Sequence, residues 1–154
     1  DYFGKIPTDR LVLEDGMLYF KIDGLCRTKL GLPPTSAKGL AASYDSQKSI
    51  LTILKYEVPE GDAVYVNSQW GEQDDPFCGD VINSYNDGPT EDGTVMGPFY
   101  EIEASSPAAE LAPGESLPHV QYTCHIQGDR ASIDTLVKSI FGVGLDKITG
   151  VFQK

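Results

Sequence analysis

GLAASYDSQKSILTILKYEVPEGDAVYVNSQW, residues 39–70, holds three short runs rich in β-branched and aromatic residues: LAASYD, SILTILKYEV and DAVYVNSQW. Polar breaks at Ser46-Gln47-Lys48 and Pro59-Glu60-Gly61 separate them, so the stretch reads as three consecutive antiparallel strands. In the middle run Ile50, Thr52, Leu54 and Tyr56 share one face and Leu51 and Ile53 the other. A strand that is apolar on both faces belongs inside a sheet, not at its rim.

Upstream, RLVLEDGMLYFKID (residues 10–23) is two apolar runs around Asp15-Gly16, a pair that supplies the positive φ angles of a tight hairpin. GLPPTSAKG (31–39) reads as a loop, since Pro33-Pro34 removes two backbone donors. Downstream, GEQDDPFCG (71–79) reads as a loop, DVINSY (80–85) as a strand and NDGPTEDG (86–93) as a turn region. GPFYEIEAS (97–105) and LPHVQYTCHIQ (117–127) follow as strands joined across the turn APGE (112–115). A helical period appears only near the end, where Ile133, Leu136, Val137 and Ile140 follow a capping Asp129, and a shorter amphipathic LDKITGVF comes after it. Eight or nine close-spaced strands and then one or two helices predict a mainly β fold: an antiparallel β-sandwich whose helical tail, 130–154, closes one edge or end. At 154 residues with 16 Gly and 10 Pro, the chain fits one domain built from turns and short strands.

Twelve basic against 23 acidic residues give a net charge of -11, which repels nucleic-acid backbones and anionic lipid surfaces. No window approaches a membrane span, and the start DYFGKIPTDR lacks a charged region followed by an apolar one, so the chain reads as mature, trimmed or cut from something longer. Cys26, Cys78 and Cys124 are too widely spaced for a metal knuckle. Cys124, inside an apolar alternation with Val120, Tyr122 and Ile126, reads as a small core residue, and one disulfide stays open for an oxidising compartment.

Period-two alternation in GPFYEIEAS puts Phe99, Glu101, Glu103 and Ser105 on one face, with the two carboxylates about 6.5–7 Å apart at the backbone. Such a pair can divide into acid and base where the face is shielded from water; a wet, solvent-facing strand gives the same spacing. His119 and His125 share a face and can meet Glu103 if their strand pairs beside the glutamate strand, but a separation of about 20 Å prevents both from binding one metal. Residues 72–92 hold seven carboxylates and two asparagines, an oxygen-rich run open to calcium or to a solvated acidic loop, with no EF-hand spacing. Sugar sites combine planar polar groups with an aromatic platform, and Trp70, Tyr85, Phe99 and Tyr100 lie close in sequence to Asn67, Gln69, Asn83, Asn86 and Asp87. There is no phosphate loop, GxSxG elbow or HExxH motif.

The run YEIEASSPAAELAPGES (100–116) resembles the galactose-mutarotase-like superfamily: an apolar strand ending in glutamate, a loop, then a Leu-x-Pro-Gly-Glu turn. YFGKIPTDRL, VNSQW, GDVINSYNDGP, GPFYEIE, LAPGES and the terminal LDKI together resemble a little-characterised Bacteroidetes-type family within it. The resemblance implies half of a β-supersandwich, a secreted or periplasmic location and a carbohydrate ligand. It also implies that Glu103 stands where the sugar epimerases carry their catalytic acid/base. Mutarotases proper are about twice as long and carry their histidines before that glutamate, whereas here both follow it. The chain therefore looks like a C-terminal half, with a sheet edge to be covered by the missing half or by a second copy.

Three functions remain open. The first is a sugar-processing enzyme with Glu103 as acid/base and Glu101 as its electrostatic partner, needing no cofactor. In it Trp70, Asn83, Asn86, Asp87, Phe99 and His119 contact substrate. The second is a non-catalytic carbohydrate-binding module on the same residues, and the third is a ligand-free structural or interaction domain.

Overall fold

Asp15 and Gly16 both take left-handed φ, 54° and 74°, and this turn closes β1 (Leu11–Glu14) onto β2 (Met17–Phe20) as the Asp-Gly pair predicts. The computed structural model describes residues 3, 5–59, 61–69, 71–97 and 99–153. Beyond the hairpin come β3 (Thr28–Leu32), β4 (Leu40–Asp45), β5 (Ile50–Tyr56), β6 (Ile82–Asn86), β7 (Tyr100–Ala104) and β8 (Gln121–Gln127). Helices α1 (Arg130–Phe141) and α2 (Leu145–Gly150) end the chain.

Two antiparallel three-stranded sheets, β3-β6-β7 and β4-β5-β8, form the sandwich, and β5 is central as its two apolar faces require. Between the sheets lies a core of Ala37, Leu54, Tyr56, Tyr65, Val81 and Ile82, joined by Leu32, Ala41, Ile102 and Ala104. A polar tie also crosses it, the hydroxyls of Ser43 and Tyr100 lying 2.8 Å apart. Leu51 on the opposite face of β5 packs with Ile133, Val137 and Leu145, so the helices cover part of the outer face of β4-β5-β8. Asp129 caps α1, its Oδ1 accepting the Ser132 N–H at 2.9 Å.

Three expectations are corrected. The run DAVYVNSQW is not a third strand: among its described residues it makes one isolated bridge, Tyr65 to Cys78, and Asn67 N–H bonds the Pro76 carbonyl. Its alternation serves to bury Tyr65, 1% exposed, in the core. Gly31 and Leu32, read as loop, belong to β3, because the break comes only at Pro33. Cys124 is exposed, not core: β8 is an edge strand and α1 covers only the end near Ile126. All three cysteines are free thiols.

Candidate functional site

Directly opposed residues of an antiparallel pair point to the same face. The register of β3-β6-β7 therefore sets Gly31, Asn83 and Glu103 in one row and Lys29, Tyr85 and Glu101 in the next. Ile82, Ile102 and Ala104 turn into the core, so both rows lie on the outer face.

One end of this face is closed. Tyr85 is 5% exposed, with its ring 5.6 Å from that of Phe3 and 5.7 Å from that of Phe99. The Arg27 guanidinium lies 5.5 Å over the Phe3 ring and donates from Nε to the Tyr85 hydroxyl at 3.2 Å. That hydroxyl donates to Asp87 Oδ1 at 2.9 Å, and Gly97 N–H donates to Asp87 Oδ2 at 2.8 Å. Burial alone pushes the Asp87 carboxyl up, but hydrogen bonds from Gly97, Tyr85, Gly88 and Met96 hold it below the ordinary carboxylate range. Asn86 points to the inner face and is fully buried: its Oδ1 accepts Gly24 N–H at 2.9 Å and its Nδ2 donates to the Cys26 carbonyl at 2.8 Å. Asn86 and Asp87 thus spend their polar atoms on the 24–26 and 97 backbone.

The other end is open and charged. Lys29 Nζ reaches across β6 to Glu103 Oε1 at 3.2 Å. Between their strands Asn83 is only 5% exposed, and its side chain makes no hydrogen bond among the described residues. Both of its amide atoms keep a small opening to the surface. Glu101 projects into solvent on the same face.

The sequence reading also expects a histidine beside the glutamates, and the topology separates them. β8 pairs with β5 in the opposite sheet, where the His125 Nδ1 and Thr52 Oγ1 lie 2.9 Å apart. His119 precedes β8, and its Nε2 lies 3.2 Å from the Ala104 carbonyl. Trp70 lies outside the described residues. So Asn83, Glu101 and Glu103 come together, Phe99 and Asp87 stand at the closed end, and Asn86 and His119 belong to other contacts. Among the described residues no group of three or more His, Cys, Asp or Glu is placed to hold a metal.

Two residues escape the sequence reading. Lys29 sits in the unrecognised β3, and Asp80 counts only as one of seven acids in the run 72–92. An apolar groove lined by Leu40, Ile53, Tyr122, Cys124, Leu136 and Ile140 lies on the far face of the sandwich, away from these charges. No described helix is long and apolar enough to cross a membrane.

Comparison with known proteins bears on this arrangement at the level of family. A family model matches residues 1–152. The chain belongs to a family of unknown function, DUF6786. No curated protein and no solved structure matches this DUF6786 chain.

Proposed function

We propose that the outer face of β3-β6-β7 is a carbohydrate site, on which Glu103 accepts a hydrogen bond or a proton from a sugar hydroxyl. Asn83 carries the reading. Its amide, in a residue only 5% exposed, makes no hydrogen bond among the described residues and opens onto this face, and a ligand hydroxyl, which both donates and accepts, can pair with it. Lys29 adds a donor beside the Glu103 acceptor, and Phe99 gives an apolar border. The resemblance of YEIEASSPAAELAPGES to the mutarotase-like pattern also favours Glu103 over Glu101.

A thermal-shift panel of mono- and oligosaccharides tests the proposal. A ligand at a hundred times its Kd adds about 2.7 kcal/mol, a rise of about 5–10 °C in midpoint for a chain of this size. Glu103→Gln removes that rise if the reading is right. A flat panel on the wild-type protein refutes it.

Binding without turnover is the second reading, and the histidines placed off the glutamate strand favour it. Exchange between sugar anomers, followed by NMR, separates the two: exchange that is lost in Glu103→Gln marks catalysis, and binding with no exchange marks a module.

A further inference from the structure

Gly31 is the one residue of the row Gly31, Asn83, Glu103 without a side chain, and its place on the outer face is taken. A Cβ built there would lie 1.9 Å from Asp80 Oδ2 and 2.4 Å from Asp80 Cγ. The Asp80 carboxyl group therefore fills the space over Gly31, in line with Asn83 and Glu103. With strands about 4.8 Å apart, Gly31, over which the Asp80 carboxyl lies, and Glu103 stand about 9.5 Å apart at the backbone, with Asn83 between them. Asp80 is half-buried and makes no hydrogen bond among the described residues. Burial pushes its carboxyl above the ordinary carboxylate range, and the attraction of Lys29 opposes the rise only in part.

We propose that Asp80 is the second functional carboxyl group of this face, accepting a hydrogen bond from a ligand hydroxyl that lies over Asn83, between Asp80 and Glu103. The inference rests on the carbohydrate reading and deepens it. The row offers acceptors at Asp80 and Glu103 on either side of Asn83, whose amide both donates and accepts. That order matches successive hydroxyl or acetal oxygens of a sugar ring and suits neither an anion nor a bare hydrocarbon.

The test is titration of the isotopically labelled protein with the sugars of the thermal panel, reading the Asn83 side-chain amide signal and the Kd. Loss of a hydrogen bond to a carboxyl or charged group costs about 1.5–3 kcal/mol, so Asp80→Ala should weaken binding at least about tenfold. Asp80→Asn keeps a carbonyl acceptor and should lose less affinity than Asp80→Ala. Neither change should lower the thermal midpoint at neutral pH by more than an exposed ion pair contributes, because among the described residues Asp80 makes no hydrogen bond and only the attraction of Lys29 is lost. Wild-type affinity in Asp80→Ala, with binding lost in Glu103→Gln, overturns the role of Asp80 and leaves the carbohydrate site standing. Equal losses in Asp80→Asn and Asp80→Ala overturn the acceptor role. A midpoint that falls in step with affinity shows Asp80 to be structural, and a panel in which no sugar moves the Asn83 signal removes both readings together.

Discussion

Breaking the Lys29–Glu103 pair should leave the fold nearly as stable as before. At 3.2 Å the bare Coulomb attraction is about 1.3 kcal/mol in water and about 5 kcal/mol at an effective dielectric constant of 20. The Glu103 side chain is 51% exposed and that of Lys29 17%. Water therefore screens the carboxylate, while the lysine pays desolvation and both pay side-chain entropy. The net coupling should fall in the range of exposed pairs, about 0.5–1 kcal/mol. For 154 residues that is a midpoint change of about 1–4 °C. A double-mutant cycle of Lys29→Met, Glu103→Gln and the double variant, followed by urea unfolding with unchanged m-values, measures it. A coupling above about 2 kcal/mol would show Glu103 to be a clamp of the β3-β6-β7 sheet, not a residue free for a ligand. A coupling of zero would mean that the pair does not form in solution, and the donor beside Glu103 would be lost from the site.

Two further outcomes are expected. Leu54→Ala, at a 1% exposed position between the sheets, should cost about 2–5 kcal/mol by denaturant unfolding, whereas Leu13→Ala on the 74% exposed hairpin position should stay within about 0.5 kcal/mol; equal effects would contradict the sandwich core. Asp87 should contribute stability that is fully present above the unfolded carboxylate pKa of about 3.9 and is lost as pH falls through its lower folded value, so the midpoint difference between wild type and Asp87→Asn should shrink in acid; a difference that grows as pH falls would reverse the sign.

What the sequence made legible is local. The Asp15-Gly16 turn, the two-faced β5 and the helix after Asp129 are each fixed by chemistry within a few residues, and each forms as read. What it hid is the choice of partners. Nothing near Gln121 says that β8 pairs with β5 instead of the glutamate strand, yet that choice takes His125 to the opposite sheet, away from Glu103. Strand β3 was concealed by its glycine, which weakens the strand signal; Gly31 is there because a side chain would collide with Asp80. The residues that look most like a sugar site in one dimension, Asn86 and Asp87, are drawn inward, since a turn that buries an amide and a carboxylate must satisfy them.

Within the eight residues from Asp80 to Asp87 the polar groups divide in a way that bears on function. Asn86 and Asp87 are at most 1% exposed, and all four of their side-chain oxygen and nitrogen atoms are bonded within the protein. Asn83 is 5% exposed and Asp80 half-buried, and neither side chain makes a hydrogen bond among the described residues, Asp80 having only the attraction of Lys29. The hydroxyls of Tyr19 and Tyr65 lack partners too, but they are sealed from solvent on large rings whose burial offsets the loss. Asn83 and Asp80 have no such apolar compensation, and they stand side by side on the outer face next to an ion pair. A fold that bonds one amide and one carboxylate completely could equally have replaced the other two with apolar residues, so their retention unsatisfied argues for a partner from outside the chain.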